Sequence, residues 1–171
     1  MATKTKMLSL IALMAALANI LSIPPIAVPI APRLTVHFTQ LPIFVAGILA
    51  GPFGGLITGA VGALYMSLFV AQIPFIIGGL AILGLATGIF GKRFRPFLAG
   101  VLAWLVQAPY VAVTDYLWFT ISLQRAPQEA WAIVVPIMVT LTVEAVISSA
   151  LAEVIVRYLR RTKIVEQVSA R

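Results

Sequence analysis

The residues able to do chemistry in this chain are few. It holds five Asp and Glu, one His and no Cys. Without cysteine there are no disulfides, no Cys-based zinc sites and no thiol chemistry. A single histidine, His37, excludes a multi-histidine metal site. No GxxxxGK[ST] phosphate loop is present, and the nearest look-alike, Gly88 to Arg93, has the wrong spacing. Any energised work therefore needs another subunit. What remains is chemistry of recognition, and Glu144 and Asp115 lead it. An acid inside an apolar span is costly and faces a partner or a wet cavity. Glu144 sits in the middle of an apolar stretch, where it meets a ligand donor, caps an internal polar network or stays protonated. Asp115 lies nearer a span end, where simple solvation competes with ligand contact.

Other candidates surround these acids. Counting about 1.5 Å per helical residue from Phe97 puts Trp104 and Gln107 near the middle of a span, with Tyr110 above them. Pro109 cannot donate to the carbonyl of Leu105, so a kink beside Gln107 and Tyr110 suits a binding wall or an ordinary packing bend. Gly78 and Gly79 lack side chains, which admits either a flat ring or a neighbouring helix. His37 and Gln40 stand where a proline-rich loop, carrying Arg33, meets a helix. They read as ligand or lid contacts, or as interfacial polar residues. Trp104, Tyr110 and Trp118 also suit an aromatic ring, including a cationic one.

The elements that must position these residues are membrane helices. Of 171 residues, 61% are hydrophobic and only 10% charged, with mean hydropathy +1.08. Between Lys6 and Lys92 the only formal charge is Arg33. A soluble domain would expose too much apolar surface with such a profile. Breaks at Pro24-Pro25, Gly51-Pro52-Phe53-Gly54-Gly55 and Lys92 to Pro96 divide the chain into spans at about 7–23, 39–50, 53–70, 73–90, 97–121 and 131–156. The segment 26–36, with Pro29, Pro32 and Arg33, reads as a structured loop. Lys4 and Lys6 before the first span resemble a signal-peptide start, yet no small-residue cleavage site follows, so it reads as a retained helix.

The expected architecture is thus an all-α integral membrane protein, one domain over 1–171, a compact bundle of six transmembrane helices with both termini cytoplasmic. Lys4, Lys6, Lys92, Arg93, Arg95, Arg157, Arg160, Arg161, Lys163 and Arg171 then face the cytoplasm, leaving Arg33 and Arg125 outside. That asymmetry follows the positive-inside rule and places the chain in the cell membrane. The net charge of +7 is accounted for by topology, with no nucleic-acid partner. Small residues recur at helical spacing at Ala12, Ala15, Ala16 and Asn19, at Gly55, Gly59 and Gly62, and at Gly84, Gly88 and Gly91. In lipid such faces mark close helix contacts, within the chain or, for the alanines, with a second protein.

Two local patterns add a family likeness. One is Ala12-Leu13-Met14-Ala15-Ala16 on the first helix. The other runs from Phe38-Thr39-Gln40-Leu41-Pro42 through Ala46-Gly47 and Gly51-Pro52 to Gly54-Gly55 and Gly59. With size and six spans, they make the chain resemble the substrate-binding S components of energy-coupling factor (ECF) transporters, the vitamin-uptake branch of the ABC systems. Riboflavin-type members carry an acidic residue where Gln40 stands. The resemblance implies binding of a small water-soluble vitamin in the outer half, with no enzyme activity and no cofactor. It also implies partners: a transmembrane coupling subunit docking at Ala12 and Ala16, and two cytoplasmic ATPases. On this reading His37, Gln40, Gly78, Gly79, Trp104, Gln107, Tyr110, Asp115 and Glu144 are the substrate-binding candidates. Thiamine-, pyridoxine- and flavin-like ligands all fit. Two other readings are a stand-alone proton-coupled transporter using Glu144 or Asp115, and an intramembrane enzyme using His37, Asp115 and Glu144. The latter three residues fall far apart in the span arrangement.

Overall fold

A computed structural model describes residues 2–23, 28–31, 34–71 and 73–162. Pro24, Pro25, Pro32, Arg33, Lys163 and Arg171, used in the sequence reading, lie outside them. Five α-helices carry the fold: α1 (Ala2–Leu21), α2 (Gln40–Gly62), α3 (Phe75–Phe90), α4 (Pro96–Leu117) and α5 (Pro127–Arg161). Single π-helical turns, Met66–Val70 and Trp118–Ser122, precede α3 and extend α4. Between α1 and α2 the expected structured loop is an antiparallel hairpin of β1 (Val28–Ala31) and β2 (Leu34–Val36), with Val28 opposite Val36. β2 runs beside α5.

Helix α2 is two arms. Gly51 adopts φ 78° and ψ −174°, a backbone conformation open essentially to glycine alone, and Pro52 starts the second arm. The chain folds back there, so that a Cβ built on Gly55 would lie 2.9 Å from the Cα of Gly47. The break expected at the Gly-Pro-Phe-Gly-Gly run is therefore a reversal. Both arms press on α3 through bare backbone. Added methyls on Gly55 and Gly84 would each strike the other's carbonyl, and one on Gly88 would strike Pro52. Side-chain-free contact of this kind is how apolar helices gain dispersion energy when lipid offers no hydrophobic drive.

The small-residue face expected on α1 divides. Ala15 and Ala18 are buried, and Gly62 of α2 packs on the Ala18 methyl. Asn19 points the same way and ties off the end of α2. Its Nδ2 donates to the carbonyls of Ala15 and Val61, and its Oδ1 accepts from the Tyr65 amide. Ala12 and Ala16 are exposed on the other side. Helix α4 opens with Pro96 after the extended Arg95, and the Glu153 carboxylate accepts from the free Phe97 amide at 3.1 Å. Glu153 also pairs with Arg157, one helical turn on.

A belt of large apolar side chains faces outward, including Leu8, Phe53, Ile121 and Val154. Lipid is the solvent that makes such a surface stable. Among the described residues, Lys4–Leu21, Pro96–Ser122 and Pro127–Arg161 are each long and apolar enough to cross a bilayer, and Gln40–Val70 has the length and composition in total but is divided by the reversal at Gly51. Helix α3 is shorter, with 16 residues.

Two glycine substitutions should fail for different reasons, readable by thermal unfolding in detergent. Gly51→Ala adds a methyl that meets no atom within 4 Å, so its expected loss of about 1–3 kcal/mol comes from the backbone alone. Gly84→Ala forces α2 and α3 apart and should cost a similar or larger amount, about 1–3 kcal/mol or more, through overpacking.

Candidate ligand-binding site

The first turn of α2 carries backbone amides with no helical acceptor, and its N-cap, Thr39, makes no side-chain cap. Glu144, on α5 and with no exposed surface, fills that role from across the bundle. Its Oε1 accepts from the Gln40 amide at 3.4 Å, and its Oε2 lies 3.2 Å from His37 Nδ1. A buried carboxylate is tolerable only when positive charge surrounds it. Here the positive end of α2 and the imidazole supply it. Gln40 adds a second strut, its Nε2 donating to the Leu141 carbonyl at 3.4 Å. The other side of this junction is tied to α1. Ser22 donates to Ala18, so its hydroxyl oxygen accepts from Thr39 at 3.0 Å.

His37 precedes α2 and lies outside the helices. Burial on its own would lower its pKa. The hydrogen bond and charge of Glu144 outweigh that and raise it above the ordinary 6.5. The imidazolium is thus the form the site favours.

Beside this junction lies a cavity of about 240 Å³. His37, Thr39 and Gln40 line one side. The π-turn and α3 supply Met66, Ile73, Phe75, Ile76 and Gly79, and α4 and α5 supply Gln107, Val111, Thr114, Asp115, Leu141 and Glu144. Most of the wall is apolar, with a few convergent polar groups, the usual make-up of a small-molecule site. Asp115 is 6% exposed and, among the described residues, has no ion-pair partner. The side-chain oxygens of Gln40 and Gln107 are buried without a hydrogen-bond partner.

Six of the nine substrate-binding candidates, His37, Gln40, Gly79, Gln107, Asp115 and Glu144, meet at this cavity. Gly78, Trp104 and Tyr110 stand behind it. A Cβ on Gly78 would strike the Tyr110 hydroxyl, which donates to the Phe75 carbonyl at 3.3 Å. Trp104 is in the core and donates to Thr142 at 3.1 Å. Gly78 thus admits a helix neighbour, and Gly79 both a neighbour and the cavity. Sequence reading passed over Thr39 and the apolar wall at Met66, Ile73 and Ile76. Thr39 had a usable signal, standing between His37 and Gln40. The apolar residues had none, being indistinguishable from lipid-facing ones. Beside the cavity Trp118 packs edge-on against Phe75, and Tyr116 stacks on Trp131.

An apolar helical bundle enclosing a cavity with buried polar groups is a membrane-embedded binding protein. The sequence model of the family described as ECF-type riboflavin transporter, S component, matches residues 2–161, and the chain belongs to that family. S components are the substrate-binding subunits of ECF transporters and are not enzymes. Comparison with curated proteins gives no match.

Because the chain has one histidine, the pair can be read directly by NMR titration of His37. Its midpoint should lie above 6.5 in the wild type and fall below it in Glu144→Gln, where burial persists and the charge is gone. A raised folded pKa stabilises the protein fully below the unfolded value. That contribution is lost as pH rises through the folded one, so the melting temperature should drop over that interval.

Proposed function

We propose that this chain is the riboflavin-binding subunit of an ECF transporter, holding the vitamin in the cavity between α2, α3, α4 and α5. The match of the riboflavin S-component family over residues 2–161 carries the reading. The cavity supports it. Its walls are mostly apolar, as a flat ring system needs, and its carboxylates and amides suit the hydroxyls and ring-edge groups of a neutral ligand. Among the described residues no Lys or Arg lines it, and a neutral ligand suits such a wall. His37, Gln40, Gly79, Gln107, Asp115 and Glu144 are the contact residues in this reading. Gly78, Trp104 and Tyr110 support the wall from behind.

Energy is supplied by a transmembrane coupling subunit and two cytoplasmic ATPases. The coupling subunit docks on the exposed Ala12 and Ala16, where small side chains permit close helix approach. The chain crosses the membrane six times, the two arms of α2 each counting as one crossing, with both termini in the cytoplasm. The ten basic residues grouped at the termini and the α3–α4 turn support that orientation.

The test is titration of the detergent-purified protein with riboflavin, followed by flavin fluorescence and native mass spectrometry. Saturation near one flavin per chain is expected; absence of binding overturns the reading. Flavin mononucleotide should bind more weakly than riboflavin, because its phosphate would face Asp115 and Glu144, and Asp115→Asn should narrow that gap. Replacing Ala12 and Ala16 together with Trp should abolish uptake in cells while leaving flavin binding intact. Loss of binding instead would make these alanines part of the fold. Uptake in liposomes without any ATPase would favour a stand-alone proton-coupled carrier.

A further inference from the structure

Of the two amide side chains at the cavity, Gln40 and Gln107, only Gln107 makes no hydrogen bond among the described residues. Gln40 has committed its amide nitrogen to the Leu141 carbonyl and Glu144 is held by His37 and the Gln40 amide. Gln107 is 3% exposed, its Oε1 is buried and unpartnered, and among the described residues its side chain makes no hydrogen bond. A buried amide without partners is unfavourable, and a ligand that pairs with it recovers the loss. Its nitrogen would lie 3.3 Å from a Cβ on Gly79, so the bare α3 backbone there makes room for this carboxamide. Both halves of the amide, one acceptor and one donor side by side, are therefore free at the cavity wall.

We infer that Gln107 reads an imide edge of the ligand ring, accepting from the ring N–H and donating to the adjacent carbonyl. The inference rests on the riboflavin reading above, since a flavin presents one such edge, a single N–H flanked by two carbonyls. A carboxamide is its two-point complement. Gln40 is tied down by the N–H it gives to Leu141, and Asp115 and Glu144 are acceptors when ionised, so Gln107 is the amide free to turn both groups to those two atoms. Gln107 is thus the residue that distinguishes an imide ring from an isosteric ring without the N–H. A site built around such a bond rejects the analogue that lacks it, because its own polar group is then left unpaired.

The experiment compares riboflavin with N3-methylriboflavin, which differs only by a methyl on the ring nitrogen, by fluorescence titration of the detergent-purified full chain. The wild type should bind the methylated compound roughly tenfold to hundredfold more weakly. Q107M, similar in length and unable to donate, should bind riboflavin more weakly and lose most of that discrimination. Q107L, which removes donor and acceptor alike, should behave in the same way and serves if Q107M does not fold. Equal binding of both compounds by the wild type would overturn the inference, as would full discrimination retained by either folded variant. Failure of the wild type to bind riboflavin at all would overturn the riboflavin reading itself and this inference with it.

Discussion

Glu144 is a carboxylate with no exposed surface, and the arrangement around the cavity follows from what keeps it stable. The positive end of α2 must point at it and His37 must reach it, so the start of α2 is fixed against the middle of α5, 104 residues away in sequence. The same contact anchors the end of the hairpin segment, because His37 follows directly on β2. With Ser22 and Thr39 joined on the other side, the chain from the end of α1 to the start of α2 is held at both ends. The cavity opens beside this junction. Replacing the pair by apolar residues of equal volume need not destabilise the bundle. It would remove the constraint that gives the cavity its polar wall.

Glycine contact between α2 and α3 is the complementary constraint. Polar contacts gather around the Glu144 junction, and bare backbone sets the rest. Because the Cα of each of Gly55 and Gly84 packs against the other's carbonyl, α3 lies against both arms of α2 and carries Gly79 to the cavity at a fixed depth. Gln107 then fits beside Gly79, where no side chain stands in its way. The orphaned amide is thus a product of packing that leaves its oxygen no protein partner.

Much of this was legible in the sequence, and the rest has an identifiable reason. The Gly-Pro-Phe-Gly-Gly run marked a break, since proline and glycine act locally, though only the structure gave its sense as a reversal at Gly51. Glu144 stood out because an acid in an apolar stretch demands a partner. That partner was not deducible, as nothing local to residue 144 refers to residue 37. Helix facing was the weakest inference. Where nearly every residue is apolar, spacing does not separate protein-facing from lipid-facing sides, so Ala12, Ala15, Ala16 and Asn19 looked like one face and are two. Trp104 and Tyr110 were placed at the right height beside Gln107, and their directions needed the neighbouring helices.

The helices differ greatly in length. At about 1.5 Å per residue, α3 covers roughly 24 Å and α5 roughly 52 Å, against a hydrocarbon core of about 30 Å. One flank of the bundle is too short for the bilayer and the other overshoots it. A short span is met by thinning of the bilayer, snorkelling of flanking residues or association, and a long one by tilting. Each ångström of mismatch carries a fraction of a kcal/mol, and that elastic energy belongs to the protein's conformational balance as much as its hydrogen bonds do. A micelle, which adapts its shape freely, removes it. The tilt of the bundle is thereby a property shared with the membrane, set by bilayer thickness as well as by the chain.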